Sequence, residues 1–331
     1  MAVPADAEGL VQDAEIKENN VKVTIEPTPV QTIDWSGCEN QIDIKRDDMI
    51  PFSFGGNKVR IGYEYWKEAR ENGCDTMIAY GSSRSNMCRV IASFCKMSGM
   101  DCLVVSPAEE GGYEASANSW ILESLHVPIV ICQRQEIAVT LQKLMDGLRS
   151  EGKRPYYIYG DCTGHGTEET GNRAYEKAYL EIRKQEELQG AGYDYIFLAS
   201  GTGATQAGLI RGQQQYGGNQ TIVGISIARD RETGMAAIRS RLPESDWDKI
   251  LFEDQYRGGG YGERKEEVSA VIRQMMEQNG IPMDSTYTGK AFWGMTEWLK
   301  NRKVTGARVL FLHTGGTPLY FDELYRQNGG F

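Results

Sequence analysis

The stretch DTMIAYGSSRSNMCRVIASFCKMSGMDCLVVS, residues 75–106, decides the fold class. Its two ends, 75–80 and 101–106, are short and mostly apolar, which is typical of buried strands. Between them, apolar residues recur at three- and four-residue spacing over 85–98. Gly99 follows, which predicts a helix that ends there. A strand, a helix and a strand within about 30 residues predict a crossover between two parallel strands.

The same alternation continues along the chain, whereas residues 1–45 show only short extended pieces. We expect further strands at 127–132, 155–159, 193–200, 221–228 and 308–313. We expect helices at 114–124, 136–149, 171–189, 203–216, 289–301 and 317–327. Strands that alternate with helices predict an α/β fold of open, mostly parallel sheets flanked by helices.

The length of 331 residues favours two domains rather than one. We expect a small domain at 60–160, a large domain formed by 1–59 and 161–331, and an active site between them.

The composition excludes several classes of protein. Lys and Arg number 36 and Asp and Glu number 46, which gives a net charge of −10. Nucleic-acid binding depends on clustered Lys and Arg, so no nucleic-acid partner is expected. No apolar run approaches the ~20 residues that cross a bilayer, and residues 1–20 are polar and acidic. We therefore expect a cytoplasmic protein without a membrane partner.

The cysteines and histidines point away from disulfides and metals. The seven cysteines are an odd number and form no CxxC motif, so we expect reduced thiols. His126, His165 and His313 lie far apart in the sequence, and their spacing matches no zinc site. We expect no metal.

A glycine-rich turn, SGTGATQ at 200–206, follows a predicted strand. In open parallel sheets, ligands bind beyond the carboxyl ends of the strands. Its glycines let backbone amides point inward, and the helix that follows offers free N–H groups to a phosphate monoester. The turn lacks the lysine of a P-loop and is not GxGxxG. The alternative is a plain strand-to-helix turn, where Gly and Ser are common.

Two further turns and one lysine also have two possible interpretations each, one structural and one functional. The polar residues of GSSRSN, 81–86, either cap the following helix or hold a carboxylate. The glycines of HTGGT, 313–317, either admit a flat ligand close to the backbone or form a simple turn. Lys58, in SFGGNKVR at 53–60, lies just before a predicted helix. It is either a surface residue or an amine that forms a Schiff base.

Together these motifs carry a family resemblance. SFGGNKVR, GSSRSNMCR, SGTGATQAG and HTGG occur in this order, with YGDCTG and YTGKA between them. From about residue 51 to 321, the chain resembles the 1-aminocyclopropane-1-carboxylate deaminase / D-cysteine desulfhydrase family. The resemblance implies the tryptophan-synthase β-like fold (fold type II) and pyridoxal 5′-phosphate (PLP) as cofactor. It also implies a homodimer.

The resemblance assigns roles to matching residues of this chain. Lys58 matches the lysine that binds PLP as a Schiff base, and Asn86 matches the asparagine that bonds the cofactor's 3′-oxygen. Ser85 matches a serine that contacts the substrate carboxylate and moves a proton. The residues that match the phosphate loop are Gly201, Thr202, Gly203, Ala204 and Thr205. Those that match the surroundings of the ring are Tyr261, Tyr287, Thr288, Thr314 and Gly315, the two tyrosines as catalytic groups.

Thr288 bears on the choice of reaction. By the resemblance, it faces the pyridine nitrogen, where the cyclopropane-opening members have a glutamate and the desulfhydrase-like members a threonine. A hydroxyl carries no charge and bonds a neutral nitrogen, so the electron sink is weaker. A weaker sink favours rapid loss of a leaving group from Cβ, and we therefore rank β-elimination above ring opening.

Three positions depart from the family pattern. Ile61 stands where the family usually has a basic residue near the phosphate, so the phosphate must rely on loop amides and hydroxyls. Arg84 stands where glutamine is common, and it either forms a salt bridge or binds a second anionic group of the substrate. Met87 replaces a polar residue and makes the pocket less polar. Substrate binding is thus assigned to Arg84, Ser85, Asn86 and Met87.

We expect a PLP-dependent carbon–sulfur lyase that performs α,β-elimination on a small amino acid. D-cysteine desulfhydrase-like activity, which releases pyruvate, ammonia and sulfide, is the leading interpretation. The alternatives are L-cysteate sulfo-lyase, 1-aminocyclopropane-1-carboxylate deaminase, a β-replacement synthase, and an inactive cofactor-binding protein.

Overall fold

The computed structural model describes residues 12–15, 22–25, 27–109, 115–258 and 265–327. Within these residues the chain divides into two compact units. Of the described residues, one unit holds 12, 25, 27–57, 172–258 and 265–327, and the other holds 13–15, 22–24, 58–109 and 115–171. The chain passes from the first unit to the second between Asn57 and Lys58.

The described residues form twelve strands and ten α-helices. The strands are β1 Gln12–Glu15, β2 Lys22–Ile25, β3 Val30–Ile33, β4 Gln41–Arg46, β5 Thr76–Tyr80, β6 Asp101–Pro107, β7 Ile129–Cys132, β8 Pro155–Tyr157, β9 Tyr195–Ser200, β10 Thr221–Ser226, β11 Leu251–Glu253 and β12 Arg308–His313. The helices are α1 Asn57–Glu71, α2 Asn86–Ser98, α3 Ala117–Ser124, α4 Ile137–Ser150, α5 Glu168–Gln189, α6 Ala204–Tyr216, α7 Arg231–Arg239, α8 Glu266–Asn279, α9 Thr288–Asn301 and α10 Thr317–Gln327. β1 and β2 pair as a separate two-stranded sheet.

The first unit is built on a six-stranded sheet of order β11-β10-β9-β12-β4-β3. Every pair is parallel except β3 and β4. In β9 and β12 all residues after the first are buried, as expected of parallel strands covered on both faces. Phe292 packs edge-on against Phe311 at 5.1 Å between ring centroids, and Trp298 packs likewise against Phe197 at 5.3 Å. Each such pair contributes about 1 kcal/mol beyond its buried area.

The second unit is built on a four-stranded parallel sheet of order β7-β6-β5-β8. Helix α2 is the crossover from β5 to β6, as residues 75–106 predict. Gly99 ends the helix in the left-handed conformation, with φ of 70°, and its N–H donates to the carbonyl of Cys95. A left-handed residue at this place favours glycine because it has no Cβ.

The predicted α/β fold class, with helices around mostly parallel sheets, is confirmed. The structure adds β3 and β4, which come from the region where only short extended pieces are expected. It starts α1 at Asn57, so Lys58 lies in the first turn of the helix rather than before it. All seven cysteines are free thiols. None of the helices in the described ranges is both long and apolar enough to span a membrane.

Candidate active site

Two of the predicted turns lie side by side at the carboxyl end of the six-stranded sheet. β9 and β12 are parallel neighbours, and Leu198 pairs with Leu312 near the ends of the two strands. The segments that follow, 201–205 and 314–316, therefore leave the sheet at the same edge. This edge is where open parallel sheets bind their ligands.

The turn at 201–205 has the features of a phosphate site. Gly203 has a φ of 85°, and a Cβ at this position would lie 2.9 Å from Ile238, so a side chain is excluded on both grounds. Helix α6 starts at the next residue, and none of the described side chains caps its first turn. Its amides thus remain for a ligand. The hydroxyl of Ser200 is buried and has no hydrogen-bond partner among the described residues. This turn therefore fits the phosphate of PLP.

Asn57 joins the two turns. Its backbone N–H donates to the carbonyl of Thr314 at 3.0 Å, and its side-chain nitrogen donates to the hydroxyl of Thr205 at 3.0 Å. Lys58 is the next residue, and consecutive Cα atoms are ~3.8 Å apart. Asn57 therefore fixes the start of α1, immediately before Lys58, against both turns. Asn57 is not among the predicted site residues, although it stands beside the lysine in GGNK.

The two glycines before Asn57 are required by close backbone contacts. A Cβ on Gly55 would lie 2.1 Å from the carbonyl oxygen of Asp48, and one on Gly56 would lie 2.8 Å from that of Thr314. Both have positive φ, as do Ser53 and Phe54 before them, with φ of 43° and 58°. A left-handed backbone at non-glycine residues is strained and is found most often at functional sites.

The turn at 313–316 is held by a buried histidine. Nε2 of His313 lies 2.8 Å from the carbonyl oxygen of Pro282, to which it donates, because a carbonyl only accepts. Nδ1 accepts the N–H of Gly315 at 3.3 Å. The imidazole thus orients the turn that the resemblance places against the ring.

Asp284 organises the start of α9. Its carboxylate is fully buried and accepts backbone N–H groups from Thr286, Tyr287 and Thr288 at 2.8–3.1 Å. Burial raises the pKa of this carboxyl above the ordinary value, against the opposing effect of these hydrogen bonds. Tyr287 is half-buried at the N-cap of α9.

Thr288 is buried, and its hydroxyl is engaged within this turn. The hydroxyl donates to Oδ1 of Asp284 at 2.9 Å and accepts the N–H of Asp284 at 3.0 Å. One acceptor lone pair remains on the hydroxyl oxygen. The role of Thr288 toward the pyridine nitrogen stays a prediction. The hydroxyl of the neighbouring Thr286 is buried without a partner among the residues that the structure describes.

In the second unit, the turn at 81–86 caps the following helix and also contacts a carboxylate of the chain itself. Ser85 is the N-cap of α2, and its hydroxyl accepts the N–H of Cys88 at 3.2 Å. Ser83 holds a carboxylate, since its N–H and hydroxyl donate to Glu109 at 2.9 and 3.3 Å. A carboxylate of the chain itself therefore occupies an amide of this turn.

Asn86 follows the cap as the first residue of α2 and is buried. Its side-chain oxygen accepts from Arg89 at 3.3 Å and from Asn118 at 3.0 Å. Because the oxygen accepts from these two donors, the amide nitrogen is the end of the side chain that remains as a donor to another group. Met87 is also buried.

Arg84 is half-buried, and its carbonyl accepts from Asn118 at 2.9 Å. Its Nε is buried without a hydrogen-bond partner, and Arg84 forms no salt bridge within the described part of the chain. Ile61 is buried and apolar, so this position offers no cation to a phosphate. Tyr261 lies outside the described residues.

Comparisons with known proteins identify the family. Residues 21–315 match the family "Pyridoxal-phosphate dependent enzyme". A D-cysteine desulfhydrase from Yersinia pestis (strain Pestoides F) is 30% identical over 312 residues, which cover 89% of this chain and 92% of that protein.

Two solved structures share the fold. The crystal structure of an ACC deaminase homologue has a TM-score of 0.79 at 27% identity and covers 95% of this chain and 99% of its own. A hydrogen sulfide-producing enzyme from Fusobacterium nucleatum has a TM-score of 0.64 at 16% identity, covering 87% of this chain and 93% of its own. The predicted fold type II, family and cofactor are confirmed. The chain belongs to the pyridoxal-phosphate-dependent enzymes, in the group of the D-cysteine desulfhydrases and the 1-aminocyclopropane-1-carboxylate deaminases.

Proposed function

We propose that the chain is a PLP-dependent lyase that eliminates the β-substituent of a small amino acid, with D-cysteine as the leading substrate. Pyruvate, ammonia and sulfide are the products. The observation that carries the proposal is Asn57, which joins the turns at Thr205 and Thr314 and directly precedes Lys58. The relationship to D-cysteine desulfhydrases supports the choice of substrate.

Each cofactor contact falls to a residue described above. The first-turn amides of α6 and the turn 201–205 hold the phosphate, and Lys58 is the covalent attachment point. Thr314 and Gly315 flank the ring, and the amide nitrogen of Asn86 donates to the 3′-oxygen. When bound, PLP supplies the electron sink for the bonds at Cα of the substrate.

Lys58 is assigned the proton transfer at Cα, and Ser85 the contact with the substrate carboxylate. The Lys58 amine takes the Cα proton of the bound amino acid as general base. Ser85 already accepts the N–H of Cys88, so its hydroxyl proton is the part that donates to the substrate carboxylate. Tyr261 and Tyr287 are the two proposed catalytic tyrosines, and Tyr287 lies at the start of α9.

Thr288 supports elimination rather than ring opening. Its hydroxyl carries no charge, and the nearest carboxylate, that of Asp284, contacts the hydroxyl. The hydroxyl proton is donated to Asp284, so the oxygen can only accept from a protonated ring nitrogen and brings no charge; protonation of that nitrogen therefore receives less support than a carboxylate in direct contact would give. A shorter-lived negative charge at Cα suits a substrate whose Cβ carries a good leaving group.

A second candidate function is favoured by Arg84. Its buried Nε without a hydrogen-bond partner in the described residues is costly unless a ligand bonds it. A guanidinium is suited to a sulfonate or carboxylate on the substrate side chain. L-cysteate, which would release sulfite, is therefore the alternative substrate.

The test is a substrate panel with product identification. The purified enzyme is incubated with D-cysteine, L-cysteate and 1-aminocyclopropane-1-carboxylate, and pyruvate, 2-oxobutyrate, sulfide and sulfite are measured. We expect pyruvate with sulfide from D-cysteine. Turnover only in the presence of a second nucleophile would refute the lyase assignment in favour of β-replacement.

Lys58→Ala tests the attachment point. We expect it to remove the visible absorption band of the lysine-bound cofactor and the activity. Lys67→Ala, an exposed lysine on the same helix, is the matched control and keeps both. A visible band that persists in Lys58→Ala contradicts the assignment. The proposed homodimer is checked by sedimentation velocity, and the proposed cytoplasmic location by cell fractionation.

A further inference from the structure

The start of α3 is fixed firmly against the turn that precedes α2. Ser116 and Ser119 cap the helix reciprocally, each side chain accepting the other's backbone N–H, at 3.2 and 2.8 Å. The Ser116 hydroxyl also donates to the carbonyl of Ser83 at 2.7 Å. Asn118, in the first turn of α3, is completely buried. The capped helix thus presents one buried amide to the turn.

Asn118 and Arg89 form a closed set of hydrogen bonds with Asn86. The Asn118 nitrogen donates to Oδ1 of Asn86 at 3.0 Å and to the carbonyl of Arg84 at 2.9 Å. The Asn118 oxygen accepts from Nε of Arg89 at 2.8 Å. Nη2 of Arg89 completes the set by donating to Oδ1 of Asn86 at 3.3 Å. Arg89 is 1% exposed, so this set lies in the interior.

These bonds permit one orientation of the Asn86 amide. Turning the amide over would set its NH₂ group against the N–H donors of Arg89 and Asn118 and leave buried donors without acceptors. A charged donor on the amide oxygen also polarises the group, and this strengthens the N–H groups at its other end as donors. Asn86 is thus held as an oriented, strengthened donor.

We infer that Arg89 and Asn118 are positioning residues that lock Asn86 as the hydrogen-bond donor to the 3′-oxygen of the cofactor. This inference rests on the role of Asn86 in the proposed function. Neither residue is assigned a contact with the cofactor, and both act through the amide of Asn86. Burial lowers the pKa of Arg89 to about 10, so the guanidinium stays charged at neutral pH and the polarisation persists.

The test follows the visible absorption of the PLP-loaded enzyme, because a donor to the 3′-oxygen stabilises the charge of the form that absorbs there. We expect Asn86→Ala and Asn118→Ala each to reduce the visible band at neutral pH. In the double variant, the band is no weaker than in Asn86→Ala alone, because Asn118 acts only through Asn86. Arg89→Lys keeps the positive charge but loses the planar guanidinium that donates to both asparagines. We expect it to reduce the visible band by an intermediate amount.

Ser119→Ala is the control for a merely structural role. It weakens the cap of α3 without touching Asn86. We expect its cofactor-free form to melt at a lower temperature, as Asn118→Ala does, while its visible band equals that of the native enzyme.

Three results would overturn the inference. In the first, the visible band of the Asn86→Ala/Asn118→Ala double variant is reduced by the product of the two single reductions. In the second, Ser119→Ala reduces the band as much as Asn118→Ala does. In the third, Asn86→Ala leaves the band intact, so that Asn86 is not the donor. The first two leave the proposed function intact, and the third removes only its assignment of Asn86. The lyase assignment is tested separately by the substrate panel, and the attachment point by Lys58→Ala; if the band persists in Lys58→Ala, the inference loses its readout and fails.

Discussion

The substitution Asn57→Ala tests how the attachment lysine is placed. It removes the 3.0 Å bond from the side-chain nitrogen to the Thr205 hydroxyl and keeps the backbone bond to the carbonyl of Thr314. Both Asn57 and Thr205 are buried, at 9% and 6% exposure. Losing such a bond costs about 1–2 kcal/mol. If that cost falls on the cofactor-bound form, PLP affinity drops by roughly 5- to 30-fold.

The assay is an equilibrium titration of the cofactor-free enzyme with PLP, followed by its visible absorption. Asn72→Ala, an exposed asparagine at the end of the same helix, is the control and should bind PLP as the native enzyme does. A second titration of Asn57→Ala in a Thr205→Val background isolates the bond. There we expect Asn57→Ala to have little further effect, because its partner is already absent.

Two results would refute this reasoning. Native PLP affinity in Asn57→Ala would show that the bond does not support the site. Full additivity with Thr205→Val would show that Asn57 acts by another route than the Thr205 hydroxyl. A loss of affinity in Asn72→Ala equal to that in Asn57→Ala would instead reveal a general effect on the helix.

Three further predictions concern single positions. Gly203→Ala should cost about 1–3 kcal/mol of stability and weaken PLP binding in a titration, because its Cβ would clash with Ile238 at a strained φ. Gly217 is the control: it has a φ of 72°, and a Cβ there would meet no described atom within 4 Å. Gly217→Ala therefore adds backbone strain only and should leave PLP binding unchanged. Burial raises the pKa of Asp284 above 3.8, so its contribution to stability is greatest when it is protonated and is lost as the pH rises through the folded-state pKa. Urea unfolding at several pH values should therefore show the native chain losing stability relative to Asp284→Asn over that range. Arg84→Gln should raise KM for L-cysteate far more than for D-cysteine in steady-state assays, and equal increases would exclude a second-anion contact.

The elements that were predicted correctly carry their signal locally. β9 and β12 are almost wholly apolar, so short unbroken runs mark them as buried strands. Gly99 is favoured by its own positive φ, and Gly203 both by its positive φ and by the atoms around it. For such residues, the sequence pattern and the physical constraint lie in the same few positions, and prediction succeeds.

β4 shows the opposite case. Its sequence QIDIKR reads as a polar segment, yet Asp43 and Lys45 are buried at 1% and 0% exposure. Lys45 forms a salt bridge with Glu181 and bonds Gln185 at 3.0 Å, and Asp43 accepts the hydroxyl of Tyr193 at 2.9 Å. These partners are 136 to 150 residues away in the chain. A buried charge is tolerable only with such partners, and no local pattern announces them.

The residues of the proposed site also fall into these two groups, with a local signal or with partners far away in the sequence. Groups proposed to bind through their own backbone, such as the turn 201–205, could be proposed from glycine spacing together with the family resemblance. The groups that set the chemistry of other residues could not: Asn57 is defined by Thr205, 148 positions away, and Asn86 by Asn118, 32 positions away. An asparagine amide is a donor at one end and an acceptor at the other, and only its partners decide which end meets a ligand. For this enzyme, the sequence therefore suffices to propose where the cofactor binds, while the long-range hydrogen bonds determine which atoms of the proposed site remain for it.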